Sequence, residues 1–499
     1  MPPDSLPAFA GSDFEEQGLV FPGRALPAFA GLSLEAVDLP NHSGINIWPT
    51  HDVETIATTT SGKRVAWRRI LDKGRVLYWN TTLLCEKRAR GLIIETLNCL
   101  QAVSVVPLAN VGTVQIDDFP APLDNTLRGA VARQYPKLSG LEFYCRVWYP
   151  DMLALSRKHR LPLTCFCLFD YTNRTEPPFV PWRGPEQQAG AGNPATDCFA
   201  AVVAQPPAEL GLHGFNHLSL ATENWPDSET MAMSLHAALE AWEKAGLGAL
   251  PTSYAPPGNE YDETGMVTLL AAIPGLQSIC GNYMGMPEDR GGNREFGPEP
   301  WNRNLFCIPR ATAGYECTDR ALFDAASQIA AVGAWTHFLH ADDVCDTPEG
   351  RGVRHEQRNP ANRGWRDQPA VPGLYSSFER LVMSLRNRFP WLTFMTASDA
   401  TGRLKHFLED RWSVRMEEGC IRVEGQPGAT FQLRLNGRPR PKLSNCVGGK
   451  VLHSDKAEDF STYVITQTAQ EVEITISEPR SLGELVASIR QLAPVWLRA

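Results

Sequence analysis

The chain has 499 residues, more than one hydrophobic core usually serves, so two or three domains are expected. A formal net charge of −9 excludes a general nucleic-acid surface, which needs clustered Lys and Arg; the densest basic stretch, 438–442, is short. Hydrophobic content of 43% and charged content of 21% are those of a soluble globular protein, and no run reaches about 18 consecutive apolar residues, so no membrane span is expected.

In chain order, residues 1–40 read as an extended arm in which Leu-Pro-Ala-Phe-Ala-Gly occurs at 6–11 and again at 26–31. Residues 41–108 have an α/β pattern, with a short buried strand at 75–80 and helical spacing over 86–100. That length suits a partial Rossmann-like segment. From 109 to 404 strands and helices alternate. Strands are expected at 111–116, 163–169, 209–212, 276–280, 334–339 and 391–395. Helices are expected at 150–159, 228–245, 321–331 and 376–389. Such alternation implies a parallel sheet or (β/α) barrel, in which functional residues gather at the C-terminal ends of strands. Residues 405–499 change character: 420–423, 430–435 and 471–476 look like strands of a small antiparallel β domain, with Asn436-Gly437 as a hairpin turn. The twelve cysteines lack zinc-finger spacing and read as buried free thiols. The N-terminus shows no basic stretch followed by an apolar one, so the chain as written reads as not exported.

Three clusters carry candidate chemistry. Asp117 and Asp118 close the first strand of the alternating region. Neighbours on a strand point to opposite faces, so both reach one site only where the strand ends and bends, an end that Pro120 favours. One carboxylate beside a cation can ligate it while the other takes a proton from bound water. His213 and His217 stand at i and i+4, which on a helix share one face and suit a single metal. With one carboxylate they leave positions open for water and substrate. His340 follows the strand at 334–339, where it can protonate a leaving group, with Asp342 or Asp343 to fix its tautomer. The loop Tyr254-Ala-Pro-Pro-Gly-Asn-Glu260 is stiff. Trp301, Arg310, Tyr315 and Trp335 are candidates to line a sugar groove by stacking and hydrogen bonding.

These clusters, in this order, resemble the polysaccharide deacetylases of carbohydrate esterase family 4, and more closely a divergent exopolysaccharide deacetylase branch that includes carbohydrate esterase family 18. Gln-Ile-Asp-Asp-Phe-Pro and His-Phe-Leu-His-Ala-Asp-Asp carry the closer likeness, which covers about 70–400. The resemblance implies a deformed (β/α) barrel of the deacetylase type. It implies Asp117 as base, Asp118, His213 and His217 as ligands of one divalent metal, zinc, and His340 as acid. It further implies Pro257 in a groove-lining loop, a carbohydrate polymer as substrate, and an extracytoplasmic setting. One departure stands out: where family 4 carries an Arg three residues before its loop Pro, this chain has Ser253 or Tyr254, and Arg310 is a candidate replacement. Two other readings remain open: a non-catalytic carbohydrate-binding protein on the same barrel, and a metal-dependent hydrolase of a non-sugar amide.

Overall fold

The run Val111–Phe119 (β1) lacks the alternation of a half-exposed strand, and in the computed structural model of the chain every residue of it is buried. The structure describes residues 8–477 apart from 17, 40–41, 49–52, 72–73, 121–124, 182–193, 285–290, 350–357, 418 and 438–439. β1 lies within a nine-stranded, mostly parallel sheet. On one side it pairs with Leu163–Cys167 (β2), followed by Glu209–Leu212 (β3), Ser253–Tyr254 (β4), Ser278–Ile279 (β5) and Phe306–Cys307 (β6). On the other, Thr312–Ala313 (β7) pairs with Ala334–His340 (β8), which pairs with β1.

β6 and β7 are successive stretches of one extended run. Phe306, Ile308 and Arg310 donate to Gln277 O, Ile279 O and Gly281 O on one side, and Ala311 and Gly314 to Thr336 O and Phe338 O on the other. The sheet therefore curls until its two ends share one run of chain. Of its nine strands, Gly297–Pro298 alone is antiparallel, at the outer edge of β6. The expected strand at 391–395 shrinks to one parallel bridge between Gly112 and Phe394. A Cβ on Gly112 would stand 2.9 Å from the Phe394 ring, so glycine admits this close approach. Helices pack outside the sheet. Asp319–Val332, for example, starts where Thr318 caps Ala321 N–H, buries Phe323 and Ile329, and ends at Gly333 with φ 71°.

Three expectations for the flanks are corrected. Residues 18–39 are not an arm: Leu26 and Phe29 of the second hexapeptide copy are buried, and Phe21, Phe29 and Phe323 form one aromatic cluster. Residues 1–7, including the start of the first copy, lie outside the described residues. The partial Rossmann-like segment is instead an antiparallel sheet, in which Glu54–Thr58 pairs with Arg64–Leu71 and that with Gly74–Trp79. Connections this short permit hairpins and not the crossovers that parallel strands need. Gly74–Trp79 is its half-buried edge.

Nor does Asn436 turn a hairpin. Thr430–Asn436 pairs with Phe460–Gln467 and with Val103–Leu108, so a strand from before the nine-stranded sheet belongs to the C-terminal β unit. The buried Asn436 amide donates to Asn98 O and Gln101 O at the end of helix Arg90–Leu100, which accounts for an Asn there without a turn. Residues 478–499 of the expected β domain, and 438–439 of the basic stretch, lie outside the described residues. Cys145 and Cys198 form a disulfide, correcting the all-thiol reading for that pair; the other ten cysteines are thiols outside any disulfide. Among the described residues no helix is long and apolar enough to cross a membrane.

Candidate functional site

β1 ends in a bulge. Cys165 pairs with Ile116 and Cys167 with Phe119, so one residue of β2 opposes both Asp117 and Asp118. Asp118 has φ 54°, in the left-handed region. The bulge and the left-handed residue break the strict alternation of the strand, which is how two adjacent carboxylates come to serve one site.

His213 and His217 do not ride on a helix as their spacing suggested. They occupy the turn that follows β3, where Gly214 has φ 87° and His217 φ 58°. A side chain at Gly214 would be strained by that φ, and its Cβ would stand 3.3 Å from Tyr254 Oη and 3.7 Å from Pro257 Cγ. Pro257 is thus buried against the turn that carries the histidines, not displayed on an open groove.

Asp118 Oδ1 lies 3.3 Å from His213 Nε2 and 3.2 Å from His217 Nε2, and the three ligand atoms lie within 4.8 Å of one another. Nitrogen and oxygen ligands about 2.0–2.1 Å from a common tetrahedral centre would be about 3.4 Å apart, close to the two Asp118–His distances, so these three side chains could hold one small cation. His213 Nδ1 is 2.7 Å from Ala255 O, an acceptor, so Nδ1 carries the hydrogen and, in the neutral ring, Nε2 turns a bare lone pair toward a carboxylate. Asp118 Oδ1 is shielded from solvent and accepts no hydrogen bond among the described residues. A cation between these atoms would relieve both conditions. Without one, burial pushes the Asp118 carboxyl up, but His217 and His213 outweigh it and hold it well below the usual range. His217 is pulled the opposite way: burial lowers it, yet Asp118 raises it overall. The His217 side chain is 34% exposed, against 2% and 9% for His213 and Asp118, so the cluster opens to solvent on that side.

Asp117 sits beside this cluster in different company. Arg310 Nη1 donates to its Oδ2 at 2.5 Å, and Arg310 also donates to Asn259 Oδ1 and lies over the Phe338 ring. Burial would raise Asp117, but Arg310, His213 and His340 hold its carboxyl below the usual range. Its Oδ1 is shielded and without a hydrogen bond among the described residues. Arg310 is fully buried in this contact and holds Asp117; it does not line a groove.

His340 is paired in register with Asp117 at the end of β8, with Nε2 3.8 Å from Asp117 Oδ2. Its Nδ1 is 3.3 Å from Asp343 Oδ1, its backbone N–H donates to Asp343 Oδ2, and Arg358 donates to Asp343 Oδ1 at 2.6 Å. Burial disfavours charge on His340, but Asp343 prevails and lifts it to about 9. Burial and the nearby Asp118 push Asp342 up to about 6. Tyr315 Oη donates to His340 O, so Tyr315 braces the strand end from within the core.

Trp335 is a correction. It is paired with Gly112, five residues below the His340–Asp117 level and so about 16 Å from it along the strand. It is fully buried, its indole donates to Thr312 Oγ1, and it stacks on His337. It is core and touches no substrate groove. Trp301 likewise packs on Tyr261 and under Arg294. Sequence reasoning missed Arg358, Asn259 and Tyr171, whose ring centroid is 5.7 Å from that of His217. The Pro-Gly-Asn string was a usable signal for Asn259, which has φ 57°. Arg358 and Tyr171 stand in loops with no periodicity to mark them.

Fold and site together define a mixed α/β protein whose curled parallel sheet gathers, at one end, a cluster of two histidines with one carboxylate and an Asp–Arg–His group. The chain belongs to the family described as "Uncharacterised protein conserved in bacteria (DUF2194)", which it matches over residues 28–458. No curated protein matches it. Among solved structures it is similar to a Geobacillus thermoleovorans α-amylase complexed with acarbose, at 7% identity and a TM-score of 0.30, covering 74% of this chain and 99% of that one. An Anoxybacillus sp. pullulanase complexed with maltotriose is similar at 9% identity and a TM-score of 0.32, covering 95% of this chain and 87% of that one. An endo-glycoceramidase II from Rhodococcus sp. is similar at 11% identity and a TM-score of 0.19, covering 70% and 88%. The scores are low and the overlaps loose.

Proposed function

We propose that the protein is a metal-dependent hydrolase that removes N-acetyl groups from amino-sugar units of a polysaccharide. The observation that carries the reading is the convergence of Asp118, His213 and His217 within ligand reach, flanked by Asp117 and His340. The sugar rests on the motif resemblance to polysaccharide deacetylases. Asp118 Oδ1, His213 Nε2 and His217 Nε2 would hold one divalent ion; a nitrogen-and-oxygen set with open positions suits zinc. When bound, such an ion polarises a carbonyl and lowers the pKa of water.

The chain's own groups supply the proton transfers. Asp117 is kept ionised by Arg310 and has its Oδ1 free, so it takes a proton from the attacking water. His340, kept charged by Asp343, gives a proton to the sugar nitrogen as the amide C–N bond breaks. Water's oxygen ends in acetate, and the sugar keeps a free amine. Arg310 stands beside Asp117 where the loop position 253–254 offers no arginine, which supports the catalytic reading over a non-catalytic one. The test is acetate release from an N-acetylated amino-sugar polymer by purified chain, before chelation, after chelation and after zinc is restored. Activity that survives full metal removal, or zinc-loaded protein with no activity on any such polymer, would count against the proposal.

A further inference from the structure

The two aspartates after His340 have unequal surroundings. Asp343 is fully engaged: Oδ1 accepts from Arg358 and faces His340 Nδ1, and Oδ2 accepts from the His340 backbone. Asp342, which opens the short helical turn Asp342–Cys345, has no such use. Its Oδ1 is shielded from solvent and has no hydrogen-bond partner among the described residues. A shielded carboxylate oxygen without a donor is costly, and where one persists beside a reaction site a ligand donor is a natural partner.

A recess of about 80 Å³ is lined by Asp342 together with Asp346, Arg128, Arg358, Phe143 and Tyr144, among others. By the same measure one water needs about 10–15 Å³, so the recess has room for a polar substituent of several atoms. Arg358 is already committed to Asp343, and Asp346 Oδ2 accepts from Arg358 N–H. Asp342 Oδ1, by contrast, accepts no hydrogen bond among the described residues. The recess also shares Arg358 with the group that orients His340, so a substituent seated there lies next to the proposed acid.

We propose that this recess is a substrate subsite for a hydrogen-bond-donating substituent other than the reacting acetamide, with Asp342 as its acceptor. The inference rests on the amino-sugar reading above. Two donors of the polymer share the required chemistry: a sugar hydroxyl, and the ammonium of a unit already deacetylated. A carboxylate serves both. A carboxamide of the same shape keeps an acceptor oxygen for the hydroxyl but loses the charge that favours the ammonium.

The experiment compares the zinc-loaded full chain with Asp342→Asn and Asp342→Ala on two probes, a fully N-acetylated hexosamine tetramer and the same tetramer partly N-deacetylated. Asp342→Ala is expected to raise KM about tenfold on at least one probe, with the loss on KM and not on kcat. If the donor is a hydroxyl, Asp342→Asn restores KM on both probes. If it is an ammonium, Asp342→Asn fails to restore KM on the partly deacetylated one. Unchanged KM in Asp342→Ala on both probes overturns the subsite, as does a loss confined to kcat. Should wild-type protein release no acetate from either probe, the amino-sugar hydrolase reading fails first. Calorimetric affinity for the same tetramers then decides the subsite, supported by a tenfold weakening in Asp342→Ala and overturned by equal affinities. Should Asp342→Ala not fold, Asp342→Leu, which also removes the acceptor, takes its place on both probes: tenfold weaker binding to either supports the subsite, and unchanged binding to both overturns it.

Discussion

Arg310 reaches Asp117 across 193 positions of sequence and donates to its Oδ2 at 2.5 Å, with both side chains buried. The contact fixes which of the two adjacent aspartates is the proposed base. Asp118 is surrounded by imidazoles, whereas Asp117 is held by a permanent cation that keeps it ionised. Arg310→Met should therefore lower turnover by roughly 10²-fold or more while leaving bound metal unchanged, because Arg310 touches none of the three ligands. It should also cost about 3–5 kcal/mol of stability by leaving Asp117 buried and unpaired. In an Asp117→Asn background the same change should cost little more activity, and steady-state kinetics on the four proteins of the cycle test this. Wild-type turnover in Arg310→Met would sink the assignment.

The cluster itself makes a separate prediction. Asp118→Ala, His213→Ala and His217→Ala should each lose zinc on dialysis, while His340→Ala should retain it. Elemental analysis of the dialysed proteins reads the difference. Zinc that binds the folded chain alone stabilises it by about 4 kcal/mol at a thousand times its Kd. The melting temperature of wild type should therefore rise with zinc, and that of the ligand variants should not. A zinc-dependent rise of equal size in Asp118→Ala would place the metal elsewhere.

How much of this was legible in the sequence depends on whether a signal was local. The strand at 209–212 was read at its true ends because an apolar run stops at a histidine. β1 and β8 were found for similar reasons, though β1 runs on to Phe119 and carries the aspartates inside it. The i, i+4 histidine spacing gave the right pair for a wrong reason, since a turn with two left-handed residues does what a helical face was expected to do. A curled sheet was expected, but not the segment that joins its ends, because 306–314 divides its hydrogen bonds between two neighbours and shows too little periodicity in either half. In the C-terminal flank the strands Cys420–Glu424, Thr430–Asn436 and Glu471–Ser477 were legible, but not their long-range pairing. Nothing near Val103–Leu108 says that its partner is Thr430–Asn436.

Trp335 marks the limit of reading aromatics as groove residues. Its side chain is enclosed by Thr312, His337 and Phe394. Trp335→Ala should cost about 3–5 kcal/mol, the usual loss for a large buried aromatic, read from denaturant midpoints. Trp335→Phe should be milder and should leave KM near wild type. A rise in KM with unchanged stability would return Trp335 to the substrate site.

The pairing of His340 with Asp343 sets the pH range of the proposed acid. Burial alone would lower His340 from its ordinary value of 6.5; Asp343 reverses this and raises it to about 9. Burial alone would raise Asp343; His340 and Arg358 bring it down to about 2. A raised histidine contributes stability that is complete below 6.5 and lost as pH rises through about 9. A depressed carboxyl contributes stability present above its ordinary value of 3.8 and lost as pH falls through about 2. The pair is thus whole between those two ordinary values and fades toward alkaline pH. In metal-free protein the His340 ring should titrate near 9 by NMR. Asp343→Asn removes the charge that opposes burial, so the midpoint should fall below 6.5. The alkaline limb of kcat/KM should move down with it, because the imidazole would lose its proton at a lower pH. Arg358→Ala should act in the opposite sense and more weakly, since Arg358 itself disfavours charge on His340. Equal midpoints in wild type and Asp343→Asn would show that the carboxylate does not hold the proton on His340, and the acid would have to be sought elsewhere.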